Sequence, residues 1–343
     1  MLLPSTAFDE LDQCGINTGT IGTDLQRLYG LIAQHLKITH IAVTQPIPLQ
    51  DEDRVRENVV RAPRNFTPLY GDFGSATCND PPTQKDFDAA FWVTAKQNGV
   101  YQTWAPRWTM FSRGNISEKA RLLRLPSVLS AFEEGKVDGR GCTAVDLYAG
   151  IGYFTFSYLK AGVSKVLCWD LNPWSIEGLM RGAEANKWKA RRVADRETGE
   201  SAEDEEARLL VFNEDNDMAS GRVQQARRSL PPIRHVNCGL LPTSRGSWKT
   251  AVEVLDANVG GWVHVHENFA VNEIEAKAEE VRKEIQRLVD VRRSIEQRRQ
   301  IVTREDDGHS EPVVVEHINR LKSYAPGVMH CVIDIYIPPE VPG

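Results

Sequence analysis

Apolar residues near the start of the chain recur at spacings of three and four, whereas those farther on stand in short runs. Between Thr23 and Leu36 the helical spacing follows a Thr-Asp start, which predicts a capped amphipathic helix. Residues 39–43 predict a short strand. From 45 to 82 the chain is rich in proline, arginine and polar residues with little periodicity, which predicts a small region with long loops.

From Cys142 onward, apolar runs of strand length alternate with segments of helical length. This alternation is typical of a parallel α/β sheet. One helix is predicted to begin at Asn172-Pro173, with proline at its first position. The highly charged segment 272–300 predicts a long, exposed crossover helix, and two further strands close the chain. The predicted parallel strands are Thr143–Tyr148, Lys165–Asp170, Leu209–Asn213, His235–Leu240 and Gly261–His266.

The change of pattern between these two parts predicts two domains. We place the boundary after residue 125, at the start of a segment that links the irregular part to the regular one. An N-terminal α+β region of residues 1–125 therefore precedes an α/β domain of residues 126–343.

Composition narrows the class of protein. With 41% hydrophobic and 26% charged residues in 343, the chain is not globally disordered. No run reaches the roughly 18 apolar residues of a membrane span, and the first residues lack a signal-peptide pattern. The six cysteines are scattered without a CxxC pair, which argues against a disulfide framework or a zinc site. We expect a cytoplasmic protein with no membrane partner and no metal.

The formal net charge of −6 is unevenly distributed. Between Asp195 and Asp217 lie ten acidic residues and two basic ones, so the rest of the chain carries a net positive charge. We expect the most acidic part, 197–206, to be a disordered surface insertion. Basic clusters at 54–64, 107–124, 187–192 and 292–304 leave a nucleic-acid partner open, because phosphate binding relies on grouped Lys and Arg.

The strongest local motif is AVDLYAGIGYFTF, in which a strand ending at Asp146 turns through Gly150 and Gly152 into a helix. Glycines at such a turn let the backbone approach a ligand closely. A dinucleotide site requires a third glycine, and Thr155 stands at that position. The motif therefore disfavours a nicotinamide cofactor.

Acidic and amide residues also follow the next two predicted strands. Asp170 comes 24 residues after Asp146 and is suited to accept hydrogen bonds from ribose hydroxyls, and Asp215 with Asn216 follows the third strand. The carboxyl ends of parallel strands form one crevice, so these residues predict an adenosine site without a phosphate cradle. In this arrangement the chain resembles the class I S-adenosylmethionine-dependent transferases. The resemblance implies a Rossmann-type, seven-stranded sheet.

A more specific resemblance lies in a series of separate blocks that occur in the same order. They are MFSRGNISEKAR, DLYAGIGYFT, NCGLLPTS, GGWVHVHEN and LKSYAPGVMHCVIDIYIP. Together they resemble the wybutosine-synthesizing tRNA aminocarboxypropyl transferases, a family related to the tRNA guanosine-N1 methyltransferases. The looser segment RVRENVVRAPRNFTPLYGDFG extends the likeness to about 300 residues.

The resemblance implies a set of residues that bind S-adenosylmethionine. Asp170 stands where the family commonly has Glu, and Glu214 stands where it has glycine. Chemically, the ammonium of Lys119 can pair with the donor carboxylate and Ser112 can add a hydroxyl. The expected donor-binding residues are Ser112, Lys119, Asp146, Gly150, Asp170, Asp215 and Asn216.

Structural roles compete with functional ones for a cysteine, two histidines and several aromatic residues. Cys238 is expected to be a buried thiol within a strand. His264 and His266 alternate with valines and so share one face of the fifth strand. Structural hydrogen bonding and a role near the substrate base are alternatives for them. Metal binding is a third alternative, but it would need a third ligand, and no residue is spaced to suggest one. Five aromatic residues could stack on an unpaired base, although core packing is an alternative for each: Trp104, Trp108, Phe111, Tyr153 and Phe154.

The implied activity is transfer of the 3-amino-3-carboxypropyl group from S-adenosylmethionine to the tricyclic guanosine-derived base beside the anticodon of phenylalanine tRNA. The by-product is then 5′-methylthioadenosine. A guanosine-N1 methyltransferase that releases S-adenosylhomocysteine is one alternative. The other is a non-enzymatic RNA-binding module, which the altered loop at Glu214 would favour.

Overall fold

The computed structural model describes residues 1–4, 21–44, 63, 66–193, 206–299 and 311–340. The chain divides into two compact units. The smaller unit comprises Met1–Ala95, Thr103–Phe111 and Leu171–Gly178, and the larger unit comprises Lys96–Gln102, Ser112–Asp170 and Leu179–Gly343. Residues 112–125 therefore group with the larger unit, whereas the predicted boundary places them in the N-terminal region. The predicted acidic insertion lies outside the described residues, except for Glu206.

Helices and strands alternate through most of the described chain. The strands are β1 (Leu2–Pro4), β2 (Ile41–Thr44), β3 (Thr67–Tyr70), β4 (Val93–Gln97), β5 (Val100–Trp104), β6 (Thr143–Asp146), β7 (Lys165–Trp169), β8 (Ala190–Val193), β9 (Leu209–Phe212), β10 (Ile233–Cys238), β11 (Gly261–Ala270), β12 (Val314–Ala325) and β13 (Val328–Ile337). The helices are α1 (Ile21–Leu36), α2 (Gln84–Ala89), α3 (Ile116–Leu122), α4 (Pro126–Val137), α5 (Thr155–Ala161), α6 (Pro173–Ala185), α7 (Ala219–Ala226), α8 (Trp248–Val254) and α9 (Ile274–Arg299). None of the helices in the described part is long and apolar enough to cross a membrane.

The smaller unit contains the helix predicted near the start of the chain. Helix α1 packs its apolar side on a three-stranded sheet of order β1-β2-β3, where Tyr29, Ala33 and Ile41 are buried. A second cluster in this unit is aromatic: Trp174 stacks on Trp108 with ring centroids 5.0 Å apart, and Phe87 meets it edge-on at 4.8 Å.

The larger unit is built on one mixed sheet of order β12-β13-β11-β10-β6-β7-β9-β8. Strands β11, β10, β6, β7, β9 and β8 run parallel, and β13 is antiparallel to both β11 and β12. The α/β class with a Rossmann-type sheet is thus confirmed, and the predicted C-terminal strands are present. The predicted number of seven strands is wrong, because β8 pairs with β9 as an eighth strand at the edge.

One face of this sheet is apolar. Val145, Leu167 and Val263 belong to a continuous hydrophobic cluster that helices α7, α8 and α9 complete. Helix α9 was expected to be exposed because of its many charges. It is amphipathic instead: residues at spacings of three and four are buried against the cluster, namely Ile274, Ala278, Val281, Ile285 and Val289.

The opposite face of the same sheet carries buried polar side chains. Asp334 of β13 accepts hydrogen bonds from Nη1 of Arg121 at 2.6 Å and from Nδ1 of His264 at 2.7 Å. Nε2 of His264 lies 3.0 Å from Nδ1 of His235, whose Nε2 reaches the Ser127 carbonyl oxygen. Arg121 thus joins two carboxylates, because it pairs with Asp334 and with Glu118, each at 2.6 Å.

Burial by itself would raise the pKa of Asp334, but hydrogen bonds and charges from His264 and Arg121 lower it below its ordinary value. Asp334 is only 2% exposed. Replacement by alanine would remove the acceptor of both buried hydrogen bonds, although Arg121 keeps its ion pair with Glu118, so we expect Asp334→Ala to lower the free energy of unfolding by about 3–5 kcal/mol.

Urea denaturation measures this difference. Glu279→Ala is the matched control, because it removes a carboxylate from an exposed ion pair with Arg282 and is expected to change stability by at most about 1 kcal/mol. Equal effects of the two substitutions would contradict the role given to the buried pair.

Candidate functional site

The carboxyl ends of β6, β7, β9 and β10 meet at one edge of the large sheet because these strands are parallel. Strand β6 lies between β7, which follows it in the chain, and β10, so the strand order reverses at this point. Open α/β sheets bind ligands in the crevice formed where the order reverses. The loops after these strands therefore form the candidate site.

The loop after β6 adopts the glycine-dependent conformation expected from its motif. Gly150 and Gly152 have φ angles of 53° and 87°, in the left-handed region. The backbone N–H of Gly150 donates to Oδ2 of Asp170 at 2.8 Å. The structure thus brings together two of the predicted residues, and Asp170 holds the glycine loop against the end of β7.

Thr155, at the position of the missing third glycine, has a structural partner. Its hydroxyl and its backbone N–H donate to Oδ2 of Asp146 at 2.8 and 3.1 Å, while Nδ2 of Asn237 donates to Oδ1 at 3.0 Å. Burial raises the pKa of Asp146, although these hydrogen bonds oppose the rise. Asp146 is fully buried and ties the start of α5 to β6 and β10.

Asp215 and Asn216 follow β9 as predicted, but they differ in environment. The exposed Asp215 accepts a hydrogen bond from the backbone of Asp217 and caps a short 3-10 turn. Nδ2 of Asn216 donates to the carbonyl oxygen of Leu147 at 2.9 Å, which joins this turn to the start of the glycine loop.

Glu214, which precedes Asp215, is held by other side chains. Its carboxylate pairs with Nη2 of Arg222 at 2.7 Å and accepts from the indole N–H of Trp169 at 3.2 Å. The side chain is therefore held by β7 and α7 within the larger unit.

Lys119 lies in α3, and Ser112 caps the 3-10 turn immediately before this helix. Lys119 is only 3% exposed, and its Nζ donates to the side-chain oxygens of Gln97 and Gln102 at 2.9 and 2.6 Å. Burial first, and then the charge of Lys322, lower the pKa of Lys119 to about 8. The ammonium is therefore still mostly protonated at neutral pH.

Tyr153 connects this block to the glycine loop. Nζ of Lys119 lies 5.2 Å from the centroid of its ring, and the backbone of Ser112 hydrogen-bonds its hydroxyl. Burial raises the pKa of this hydroxyl. The sequence suggested Tyr153 only as one of several stacking aromatics, and nothing in the local pattern indicates its bridging position.

The loop after β10 is held by β11. Oε1 of Glu267 accepts from the Thr243 hydroxyl at 2.8 Å and from the backbone of Ser244 at 2.8 Å. Cys238 is buried within β10, and burial raises the pKa of its thiol to about 12. The described residues contain no group of three or more His, Cys, Asp or Glu side chains arranged to hold a metal ion.

The two predicted histidines of β11 are buried and bonded to other side chains. His264 belongs to the Asp334 network, and Nδ1 of His266 lies 3.0 Å from Nε2 of His330. Phe154 packs on the ring of His266 at 4.9 Å, while Trp104 stacks on Phe111 within the smaller unit at 4.3 Å.

Several residues that position the site were missed in the sequence analysis. Gln97, Gln102 and Asn237 hold Lys119 and Asp146 through hydrogen bonds, and no spacing pattern marks them. Lys322 was also missed, but a signal for it exists, because it stands within the LKSYAPGVMHCVIDIYIP block that carries part of the family resemblance.

Comparison with known proteins agrees with the resemblance seen in the sequence. No profile of a protein family matches the chain. It is 43% identical over 254 residues to tRNA wybutosine-synthesizing protein 2 of Schizosaccharomyces pombe, covering 74% of this chain and 55% of the relative. It is 34% identical over 314 residues to the Saccharomyces cerevisiae protein of the same name, covering 87% and 60%. The chain thus spans little more than half the length of these relatives.

Among solved structures, P. horikoshii TYW2 in complex with MeSAdo has a similar fold. Its TM-score is 0.56 at 16% sequence identity, and the match covers 94% of this chain and 86% of that one. This likeness supports the fold class independently of the sequence comparison.

The conformation of Gly150 leads to a test of the glycine loop. An alanine there would adopt a left-handed φ, and its Cβ would lie 2.7 Å from a ring carbon of Tyr153. We expect Gly150→Ala to lower the free energy of unfolding by about 1–3 kcal/mol, as measured by urea denaturation. The control is Gly221→Ala in α7, where a Cβ meets nothing within 4 Å and is expected to stabilise the helix by about 0.5–1 kcal/mol. Opposite signs are expected, and a loss of stability at both positions would contradict the strain assigned to Gly150.

Proposed function

Because the chain is a homologue of tRNA wybutosine-synthesizing protein 2, we propose that it transfers the 3-amino-3-carboxypropyl group of S-adenosylmethionine to a tRNA base. The acceptor is the tricyclic guanosine-derived base beside the anticodon of phenylalanine tRNA. The observation that carries the proposal is the 43% identity to a protein named for wybutosine synthesis over three quarters of this chain. The complex of P. horikoshii TYW2 with MeSAdo supports the choice of aminocarboxypropyl rather than methyl transfer.

S-adenosylmethionine fits the residues at the point where the strand order of the sheet reverses. A carboxylate at Asp170 beside the glycine loop suits the ribose hydroxyls, and Asp215 and Asn216 lie at the neighbouring strand end, where adenine would be contacted. Gly150 provides close backbone approach, and Ser112 and Lys119 would hold the amino acid part. Asp146 acts indirectly in this proposal, because its carboxylate is enclosed by Thr155 and Asn237.

The transfer requires attack by a base carbon on the side-chain methylene bonded to the sulfonium. The new carbon–carbon bond forms as the carbon–sulfur bond breaks, and the electron pair of that bond neutralises the sulfur in 5′-methylthioadenosine. The base loses one proton from the attacked carbon. The protein contributes mainly by presenting the methylene, rather than the methyl, in line with the acceptor.

We place the RNA contacts partly in the N-terminal region, residues 1–125, and propose a cytoplasmic location. The basic cluster at 107–124 includes the Ser112–Lys119 block, and its exposed Arg113 and Arg124 could meet phosphates. The basic cluster at 54–64 lies outside the described residues, apart from Pro63.

Product analysis tests the activity directly. The protein is incubated with S-adenosylmethionine and tRNA that carries the tricyclic precursor, and the nucleoside by-product is identified by chromatography. We expect 5′-methylthioadenosine. S-adenosylhomocysteine would show methyl transfer instead. If a folded sample releases neither of the two products, the proposal is overturned.

Substitutions at the donor site provide the second test. We expect Asp170→Ala and Lys119→Ala each to weaken S-adenosylmethionine binding by at least about tenfold in calorimetry, because each removes a charged partner of the donor. Lys277→Ala, on the exposed side of α9, is the control and is expected to leave the affinity unchanged. Undiminished affinity in both site variants would show that the donor binds elsewhere.

A further inference from the structure

Lys322 of β12 reaches the block that contains Ser112 and Lys119, although it is distant in sequence. Its Nζ donates to Oδ1 of Asn115 at 3.2 Å, across 207 positions of the chain. Asn115 is the cap residue of α3, the helix that carries Lys119. Lys322 is therefore held at the segment that precedes the helix of Lys119.

Gly114 provides the room for this approach. A Cβ added to Gly114 would lie 2.5 Å from Nζ of Lys322 and 3.0 Å from its Cδ. The backbone of Gly114 does not adopt a left-handed φ. Gly114 lies in the 3-10 turn that precedes α3, and its lack of a side chain leaves room for the lysine.

The two lysines concentrate positive charge in a partly enclosed place. Burial lowers the pKa of Lys322, and the charge of Lys322 contributes to the lowered pKa of Lys119. Lys322 forms no ion pair with any residue that the structure describes. The neighbouring carboxylate of Glu118 accepts hydrogen bonds from Arg121 and Asn319 instead. Like charges brought together in this way are stabilised by an anion.

His330, on the strand next to Lys322, has an unsatisfied ring nitrogen. His330 stands opposite Lys322 in the register of β12 and β13, and it is only 1% exposed. Its Nε2 bonds to His266, but its Nδ1 has no hydrogen-bond partner among the described residues. Burial lowers the pKa of both histidines to about 3, so they are neutral at physiological pH. A buried ring nitrogen without a partner is costly and is commonly satisfied by water or a ligand.

We propose that Lys322 is a second cation for the carboxylate of the donor, paired with Lys119 and seated over Gly114. The inference rests on the proposed function, since it assumes that the donor carries an amino acid group. A donor carboxylate fits better than an RNA phosphate because Lys119 is only 3% exposed and is linked through Tyr153 to the glycine loop. Lys322 would thereby help to fix where the aminocarboxypropyl group lies during transfer.

The test compares two ligands that differ in the aminocarboxypropyl group. S-adenosylmethionine has the carboxylate, whereas 5′-methylthioadenosine lacks the whole aminocarboxypropyl group. We expect Lys322→Gln to weaken binding of S-adenosylmethionine by about tenfold and to leave binding of 5′-methylthioadenosine within about twofold, as measured by calorimetry on the full chain. Lys322→Arg, which keeps the charge, should retain more affinity for S-adenosylmethionine than Lys322→Gln.

A variant that crowds Lys322 and a control at an exposed lysine extend this test. Gly114→Ala crowds the end of Lys322 without removing any charge, and it should selectively weaken S-adenosylmethionine binding even if Lys322→Gln fails to fold. Lys277→Gln, at an exposed lysine of α9, should change neither affinity.

Other outcomes overturn the proposal. Equal loss of both ligands would assign Lys322 a purely structural role, and unchanged affinity for S-adenosylmethionine with weakened tRNA binding would assign it to a phosphate. A wild-type chain that binds 5′-methylthioadenosine but not S-adenosylmethionine would refute the carboxylate site while leaving an adenosine site. Failure to bind either ligand would overturn the proposed function as well.

Discussion

The hydrogen bonds of Asp334 with Arg121 and His264 connect the candidate site to the sheet. Strand β13 provides the carboxylate, and α3 provides the guanidinium two positions after Lys119. A charged group that is almost fully buried must keep its partners, so α3 has little freedom to slide or rotate on the sheet. The position of Lys119 is therefore set partly by the ion pair of Asp334 with Arg121.

The two faces of the sheet have separate roles, because only buried polar groups need partners in defined positions. The apolar face, covered by α7, α8 and α9, contributes burial without directional requirements. The polar face contributes direction, because each buried donor and acceptor needs a partner at a defined distance. Asp146 is an example: bonds from Thr155 and Asn237 join α5 to β6 and β10, and the glycine loop lies between these anchored points.

The charges around the proposed donor are arranged to favour one orientation. Asp170 lies at the glycine loop, whereas Lys119 lies over the ring of Tyr153 and Lys322 lies beside Asn115, so the anionic and cationic groups of the proposed site are separated. A sulfonium donor has a ribose at one end and a carboxylate at the other, which matches this separation. Uneven placement of charge can thus determine which carbon on the sulfur faces the acceptor.

The α/β class, helix α1, the strand ends that carry Asp146, Asp170 and Asn216, and the loop glycines could all be predicted from the chain alone. Each depends on local periodicity or on the conformation of a few adjacent residues. The apolar spacing of α9 is also present in the sequence, where its many charges conceal it. The eighth strand, the bridging place of Tyr153 and the meeting of Lys322 with Asn115 could not be predicted. They depend on strand register and helix packing between residues far apart, and side-chain spacing along a sequence contains no measure of those distances.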